Sequence, residues 1–128
     1  MIFILENRRI LRDIMVNVVV NGIGTIGKRA AEAVEKQDDM NLTGIADVSQ
    51  TSGLRTVLHE EGPLHGTDLY ASNEDGMETL QDQGMHVEGL LEDLLESGEV
   101  DVVIDCTPPG IDEANKENLY VPNDVKAI

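Results

Sequence analysis

Apolar residues fall along this chain in two alternating kinds of run. Val16 to Val20 and the V-D-V-V-I-D stretch of Val100 to Asp105 are short and rich in β-branched residues, the pattern of strands buried on both faces of a parallel sheet. Between them lie segments with helical spacing. Lys28 to Glu35 reads as an amphipathic helix; Val87 to Glu96 sets Leu90, Leu91, Leu94 and Leu95 opposite Glu88, Glu92, Asp93 and Glu96, and stops at Ser97-Gly98. A second strand is predicted over Asn41 to Ala46, ending at Asp47, followed by a short helix over Leu54 to Glu61 closed by Gly62-Pro63. Leu64 to Ala71 includes a short strand, Asn73 to Gln83 a helix with Gly84 at its end, and Met85 to Val87 a short extended piece. Ile111 to Tyr120 reads as a helix and Val125 to Ile128 as the opening of one more strand. Such alternation predicts an α/β fold, a doubly wound and mainly parallel sheet. Ligands of these sheets bind beyond the carboxyl ends of the strands, so the loops starting at Asn21, Asp47 and Cys106 are expected to converge on one crevice.

The first apolar run breaks into Asn21-Gly22-Ile23-Gly24-Thr25-Ile26-Gly27, three glycines spaced G-x-G-x-x-G where strand meets helix. In that position Gly22 permits the tight turn, Gly24 lets the backbone approach a pyrophosphate, and Gly27 lets helix and strand pack closely, while N–H groups at the helix N-terminus face the phosphates. The pattern asks for an acid about 20 residues further on to hold the ribose hydroxyls, and the second strand ends at Asp47. The plainer reading is a glycine-rich turn that only reverses the chain, with Asp47 a solvated acid. Strand, helix and acid falling in register favour a dinucleotide-binding βαβ unit of the Rossmann kind.

With 128 residues the chain is one domain's worth, too short for a nucleotide domain plus a full substrate domain. Aromatic content of 2% means the core is built from Val, Ile, Leu, Met and Ala. The formal charge of −16, from 25 acids against 9 bases, is dispersed over helices and loops and repels phosphate backbones and anionic membranes, which excludes nucleic-acid and lipid partners. The same charge and the scarcity of lysine suit a salt-rich cytoplasm of a halophilic archaeon, with an ordinary acidic protein as the alternative. Cys106 is the only cysteine, so no intramolecular disulfide forms, and His59, His65 and His86 lack metal-ligand spacing. A reducing cytoplasm is the simplest home. Residues 1–14 carry three of the nine bases and two acids; they read either as an extension from a start assigned upstream of Met15 or as an element packed on the sheet edge, leaving 15–128 as the nucleotide-binding domain.

Asn21-Gly22-Ile23-Gly24-Thr25-Ile26-Gly27-Lys28-Arg29 closely resembles the opening of archaeal (type II) phosphorylating glyceraldehyde-3-phosphate dehydrogenase, where a sequence of the form N-G-Y-G-T-I-G-K-R begins the nucleotide domain. The resemblance continues through Gln37-Asp38-Asp39-Met40, Val87 to Leu95, Asp105-Cys106-Thr107-Pro108-Pro109-Gly110, Asn115-Lys116 and Lys126-Ala127-Ile128. It implies the NAD(P)-linked oxidation and phosphorylation of glyceraldehyde 3-phosphate to 1,3-bisphosphoglycerate by homotetramers. It further implies that Thr25 and Ile26 lie against the pyrophosphate and that the loop at Thr107-Pro108 approaches the nicotinamide. Where that family usually carries lysine, threonine and arginine after the second strand, this chain reads Asp47-Val48-Ser49. An acid there repels a 2′-phosphate, so the expected cofactor is NAD, with NADP as the alternative.

The family's nucleophilic cysteine, activating histidine and phosphate-holding bases have no counterpart in this sequence, so no turnover is expected of the chain alone. Cys106 follows a buried strand, has no histidine near it in sequence, and is expected to be a small apolar filler. Other readings are a free-standing nucleotide module acting with a partner chain or as a homo-oligomer, the nucleotide domain of another dehydrogenase such as an aspartate-semialdehyde dehydrogenase or dihydrodipicolinate reductase relative, and a nonfunctional gene fragment.

Overall fold

The computed structural model describes residues 15–128; the expectations for residues 1–14 lie outside the described residues. Six strands form one all-parallel sheet in the order β4-β3-β2-β1-β5-β6. The strands are β1 (Val16–Asn21), β2 (Met40–Asp47), β3 (Leu69–Ala71), β4 (Gly89–Leu90), β5 (Val102–Asp105) and β6 (Lys126–Ala127). The chain steps outward from β1 to β4 and returns to pair β5 on the other side of β1. The strand order therefore reverses between β1 and β5, the place where doubly wound sheets open a crevice.

The β-branched runs are buried on both faces, as their sequence predicts. Val20 pairs in register with Ile45 and Ile104 on one face, and these pack with Ala31 of α1 (Thr25–Glu35), Leu54 and Val57 of α2 (Ser52–Leu58) and Leu80 of α3 (Glu74–Asp82). Val19, Ala46 and Val103 face the other way, against Leu91, Leu94 and Leu95 of α4 (Leu91–Glu96) and against Tyr120. Each fully buried aliphatic side chain contributes about 2 kcal/mol of transfer free energy, so both layers are needed to stabilise the sheet.

Several boundaries differ from the sequence reading. The first helix begins at Thr25, three residues before Lys28, so its first turn holds part of the glycine motif. The stretch from Val87 to Glu96 is not one helix: Gly89 and Leu90 pair with Tyr70 and Ala71 as the edge strand β4, and the helix starts at Leu91. Pairing with β3 satisfies backbone groups there, which a helical apolar pattern cannot reveal. Met85 to Val87 lies outside the sheet, just before β4, and the helix after β2 stops at Leu58, short of Glu61. Ile111 to Tyr120 splits into α5 (Ile111–Asn115) and a wider π turn, Lys116–Tyr120, that ends on the buried ring of Tyr120.

Candidate functional site

The loops that follow β1, β2 and β5 meet at the switch point and enclose a cleft of about 280 Å³, lined by Gly22, Gly24, Asp47, Ser72 and Thr107 among others. Gly24 also borders an adjoining hollow of about 360 Å³, where it stands with Thr25, Lys28, Arg29 and Ser52. Of the residues singled out from the sequence, Gly22, Gly24, Asp47 and Thr107 line the cleft and Thr25 the hollow. Ile26 and Gly27 line neither: Ile26 is 75% exposed on the first turn of α1, and Gly27 is buried beneath the turn.

The three glycines differ in what holds them. Gly22 has φ +93°, and a Cβ there would stand 2.9 Å from the Cys106 carbonyl, so the β1 turn packs directly on the β5 turn. A Cβ on Gly27 would fall 1.8 Å from the carbonyl oxygen of Gly22. Gly24 is extended, and a Cβ there would meet nothing within 4 Å. The fold itself thus requires Gly22 and Gly27 but not Gly24, which faces open space at the N-terminus of an 11-residue helix.

Asp47 ties the glycine turn to β2. Its Oδ2 accepts from the Ile23 N–H at 2.9 Å and its Oδ1 from the Val48 N–H at 2.7 Å. A carboxylate offers about four acceptor sites, so two backbone donors leave capacity for hydroxyls in the cleft. Thr51 braces the same turn, donating to the Ile23 carbonyl at 3.1 Å while accepting from Leu54 N at 3.0 Å as the cap of α2. Neither tie is visible in the spacing of the motif.

Behind the cleft lies a polar network that the sequence reading missed. Asn21, fully buried, donates through Nδ2 to the Tyr120 hydroxyl at 2.9 Å and accepts on Oδ1 from Ser72 Oγ at 2.6 Å. Tyr120 donates in turn to Asp105 Oδ2 at 2.5 Å, which also accepts from Asn115 Nδ2 at 3.1 Å. Asp105 Oδ1 accepts from the Thr107 N–H at 2.9 Å and from the Thr107 hydroxyl. Burial pushes the Asp105 carboxyl up, but the hydrogen bonds from Thr107, Tyr120 and Asn115 outweigh it and hold the group below its ordinary range. Burial, reinforced by the Asp105 charge, pushes the Tyr120 hydroxyl well above its usual value. The only available signals were an asparagine and an aspartate ending apolar strands, and one of just two tyrosines.

Cys106 packs against the core on the α1 face, and burial together with the Asp105 charge pushes its thiol up, the reverse of an activated thiolate. Among the described residues, no group of three or more His, Cys, Asp or Glu is placed to hold a metal ion.

A parallel doubly wound sheet whose G-x-G-x-x-G turn opens a cleft at the switch point defines a Rossmann-type nucleotide-binding domain. The chain belongs to the family described as dihydrodipicolinate reductase, N-terminus, which it matches over residues 16–125. Among curated proteins it is 43% identical over 116 residues to the glyceraldehyde-3-phosphate dehydrogenase of Methanopyrus kandleri, covering 88% of this chain and 32% of that protein. It is 40% identical over 114 residues to the enzymes of that name from Methanococcus maripaludis strain C5 and Methanothermobacter thermautotrophicus, covering 89% of this chain and 32% of each. The chain therefore spans about a third of the length of these relatives and matches their N-terminal, nucleotide-binding part, as the resemblance at Asn21 to Arg29 implied. The family description names a reductase and the curated relatives are named dehydrogenases; both point to a nucleotide-binding domain. Two solved structures share the fold: RSP, a Rex-family repressor (TM-score 0.53, 20% identity, 99% of this chain and 50% of that one), and GenD2 from gentamicin A biosynthesis in complex with NAD (TM-score 0.53, 18% identity, 88% and 26%).

Proposed function

We propose that this chain is the NAD-binding portion of a glyceraldehyde-3-phosphate dehydrogenase. The observation that carries the reading is Gly24, a glycine that neither backbone conformation nor neighbouring atoms demand, facing open space where a pyrophosphate would lie against the α1 N-terminus. The residues present fit the cofactor. Gly24 and Thr25 would face the pyrophosphate, with Ile26 exposed beside them on the first turn of α1 and Gly22 and Gly27 shaping the turn from below; Asp47 has acceptor capacity left for ribose hydroxyls, and Thr107 would flank the nicotinamide end. NAD bound there supplies a hydride acceptor. Asp47 disfavours a 2′-phosphate, so NAD is preferred over NADP.

In the relatives' reaction glyceraldehyde 3-phosphate would be oxidised and phosphorylated, a glycolytic step in the cytoplasm. The described cleft holds no activated nucleophile, and the groups for that chemistry come from another segment or a partner chain. The charge of −16 suits a salt-rich cytoplasm of the halophilic kind.

Calorimetric titration with NAD, NADP and AMP tests the reading. NAD and AMP are expected to bind and NADP to bind more weakly; no heat with millimolar NAD or AMP overturns it. Replacing Asp47 by Ala should narrow the preference for NAD over NADP by about tenfold, the size of one hydrogen bond to a charged group.

A further inference from the structure

Asn21-Gly22 is the one asparagine–glycine pair in the sequence, and both residues line the cleft. Such a pair carries its own chemistry, because glycine has no Cβ to shield its backbone nitrogen. That nitrogen can attack the asparagine side-chain carbon Cγ. The new C–N bond closes a five-membered succinimide, the Cγ–Nδ2 bond breaks, and ammonia leaves carrying the proton from the glycine N–H. Water then opens the ring at either carbonyl, leaving aspartate or its backbone-lengthened isomer, isoaspartate. Every group this reaction must move is held in the fold. The Gly22 N–H donates to the Ala46 carbonyl at 2.8 Å, and the Asn21 carbonyl accepts from the Cys106 N–H at 2.8 Å, so the peptide bond is fixed between the ends of β2 and β5. The side chain is fully buried and fixed between Tyr120 at 2.9 Å and Ser72 at 2.6 Å. Ring closure also needs Cβ and the next nitrogen to eclipse about the Cα–C bond, whereas the extended backbone of β1 sets them about a third of a turn apart.

We propose that Asn21 is a latent modification site, held unreactive by the folded cleft and converted once the strands around it part, so that opening of the switch point becomes permanent. Neither product fits the place it leaves. Aspartate puts a carboxylate at a fully buried position, opposite a Tyr120 oxygen whose proton already serves Asp105. One phenol proton cannot satisfy two carboxylates, and a buried charge short of a donor is costly. Isoaspartate lengthens the main chain by one carbon at the end of the central strand. That moves Gly22 off its close seat against Cys106 and away from the Ala46 carbonyl.

The test follows the full chain in mildly alkaline buffer, with and without concentrated urea, and reads the proteolytic peptide that contains residue 21. Mass reports the exchange of NH₂ for OH, and isoaspartate elutes apart from aspartate. In urea Asn21 is expected to convert first among the asparagines, since no other precedes a glycine. Without urea its conversion should be at least about a hundredfold slower, because only the fraction of molecules open at any moment reacts. The partly converted mixture is then brought to the urea midpoint of the unmodified chain and given a brief pulse of protease, which removes unfolded molecules. Chains carrying aspartate or isoaspartate at residue 21 should be depleted at least about tenfold among the survivors. Equal rates with and without urea, an unfolded chain in which Asn21 stays intact, or survivors as rich in the modified residue as the starting mixture would each overturn the proposal.

Discussion

Three glycines in one motif make three different demands, and substitution should separate them. Gly24→Ala places its methyl in open space at an extended backbone. Its folding stability should change by less than about 0.5 kcal/mol, while NAD affinity falls at least tenfold. Gly27→Ala drives a methyl into the Gly22 carbonyl and should cost about 3 kcal/mol, visible as a lower denaturation midpoint before any ligand is added. Tyr120 makes a second prediction at this scale. Its folded-state pKa is raised, so the stability linked to its neutral hydroxyl is complete below pH 10, the value of an unfolded tyrosine, and declines at higher pH as unfolding releases its proton. Alkaline unfolding should therefore be shallower in Tyr120→Phe than in wild type. Gly22, Gly24 and Asp47 could be read from the sequence because a motif is a local object, with fixed spacing along the chain. The Asn21–Tyr120 contact joins residues 99 apart, and no local pattern announces it.

At the scale of elements, the sequence's strength was periodicity and its weakness was pairing. The β-branched runs identified β1 and β5 because a strand covered on both faces is apolar at successive positions. The helices ending at Gly84 and at Ser97-Gly98 stop where the sequence placed them. Leu90 misled because it continues the apolar face of Leu91, Leu94 and Leu95, yet its backbone is claimed by Ala71 of β3, an interaction that helical spacing does not encode. The π turn was hidden for a related reason: Lys116 to Tyr120 has ordinary helix-forming composition, and only the burial of Tyr120 on the sheet distinguishes it. Thr51 links an element end to the site. Thr51→Ala removes both the α2 cap and the brace on the Ile23 carbonyl; it should cost about 1 kcal/mol in denaturant unfolding, with Thr51→Ser restoring most of the loss.

Across the whole molecule, charge is the dominant fact. The formal −16 is scarcely offset by local pairing: among the described residues the ion pair found is His86 with Glu88, which depends on a protonated histidine. Repulsion among the acids is therefore left to solvent ions, whose screening length falls from about 30 Å at 0.01 M salt to about 3 Å at 1 M. The melting temperature should rise by about 8 °C over that range of potassium chloride, roughly 2 kcal/mol for a chain of this size, and scanning calorimetry at several salt concentrations would show it. A flat response would remove the argument for a salt-rich setting. The same measurements can be followed without a label. The chain has no tryptophan and two tyrosines, and Tyr120, enclosed by the core, donates a hydrogen bond to a carboxylate, a contact that quenches phenol emission by offering the excited-state proton an acceptor. Loss of the fold frees that ring, so the protein should brighten near 305 nm as it unfolds.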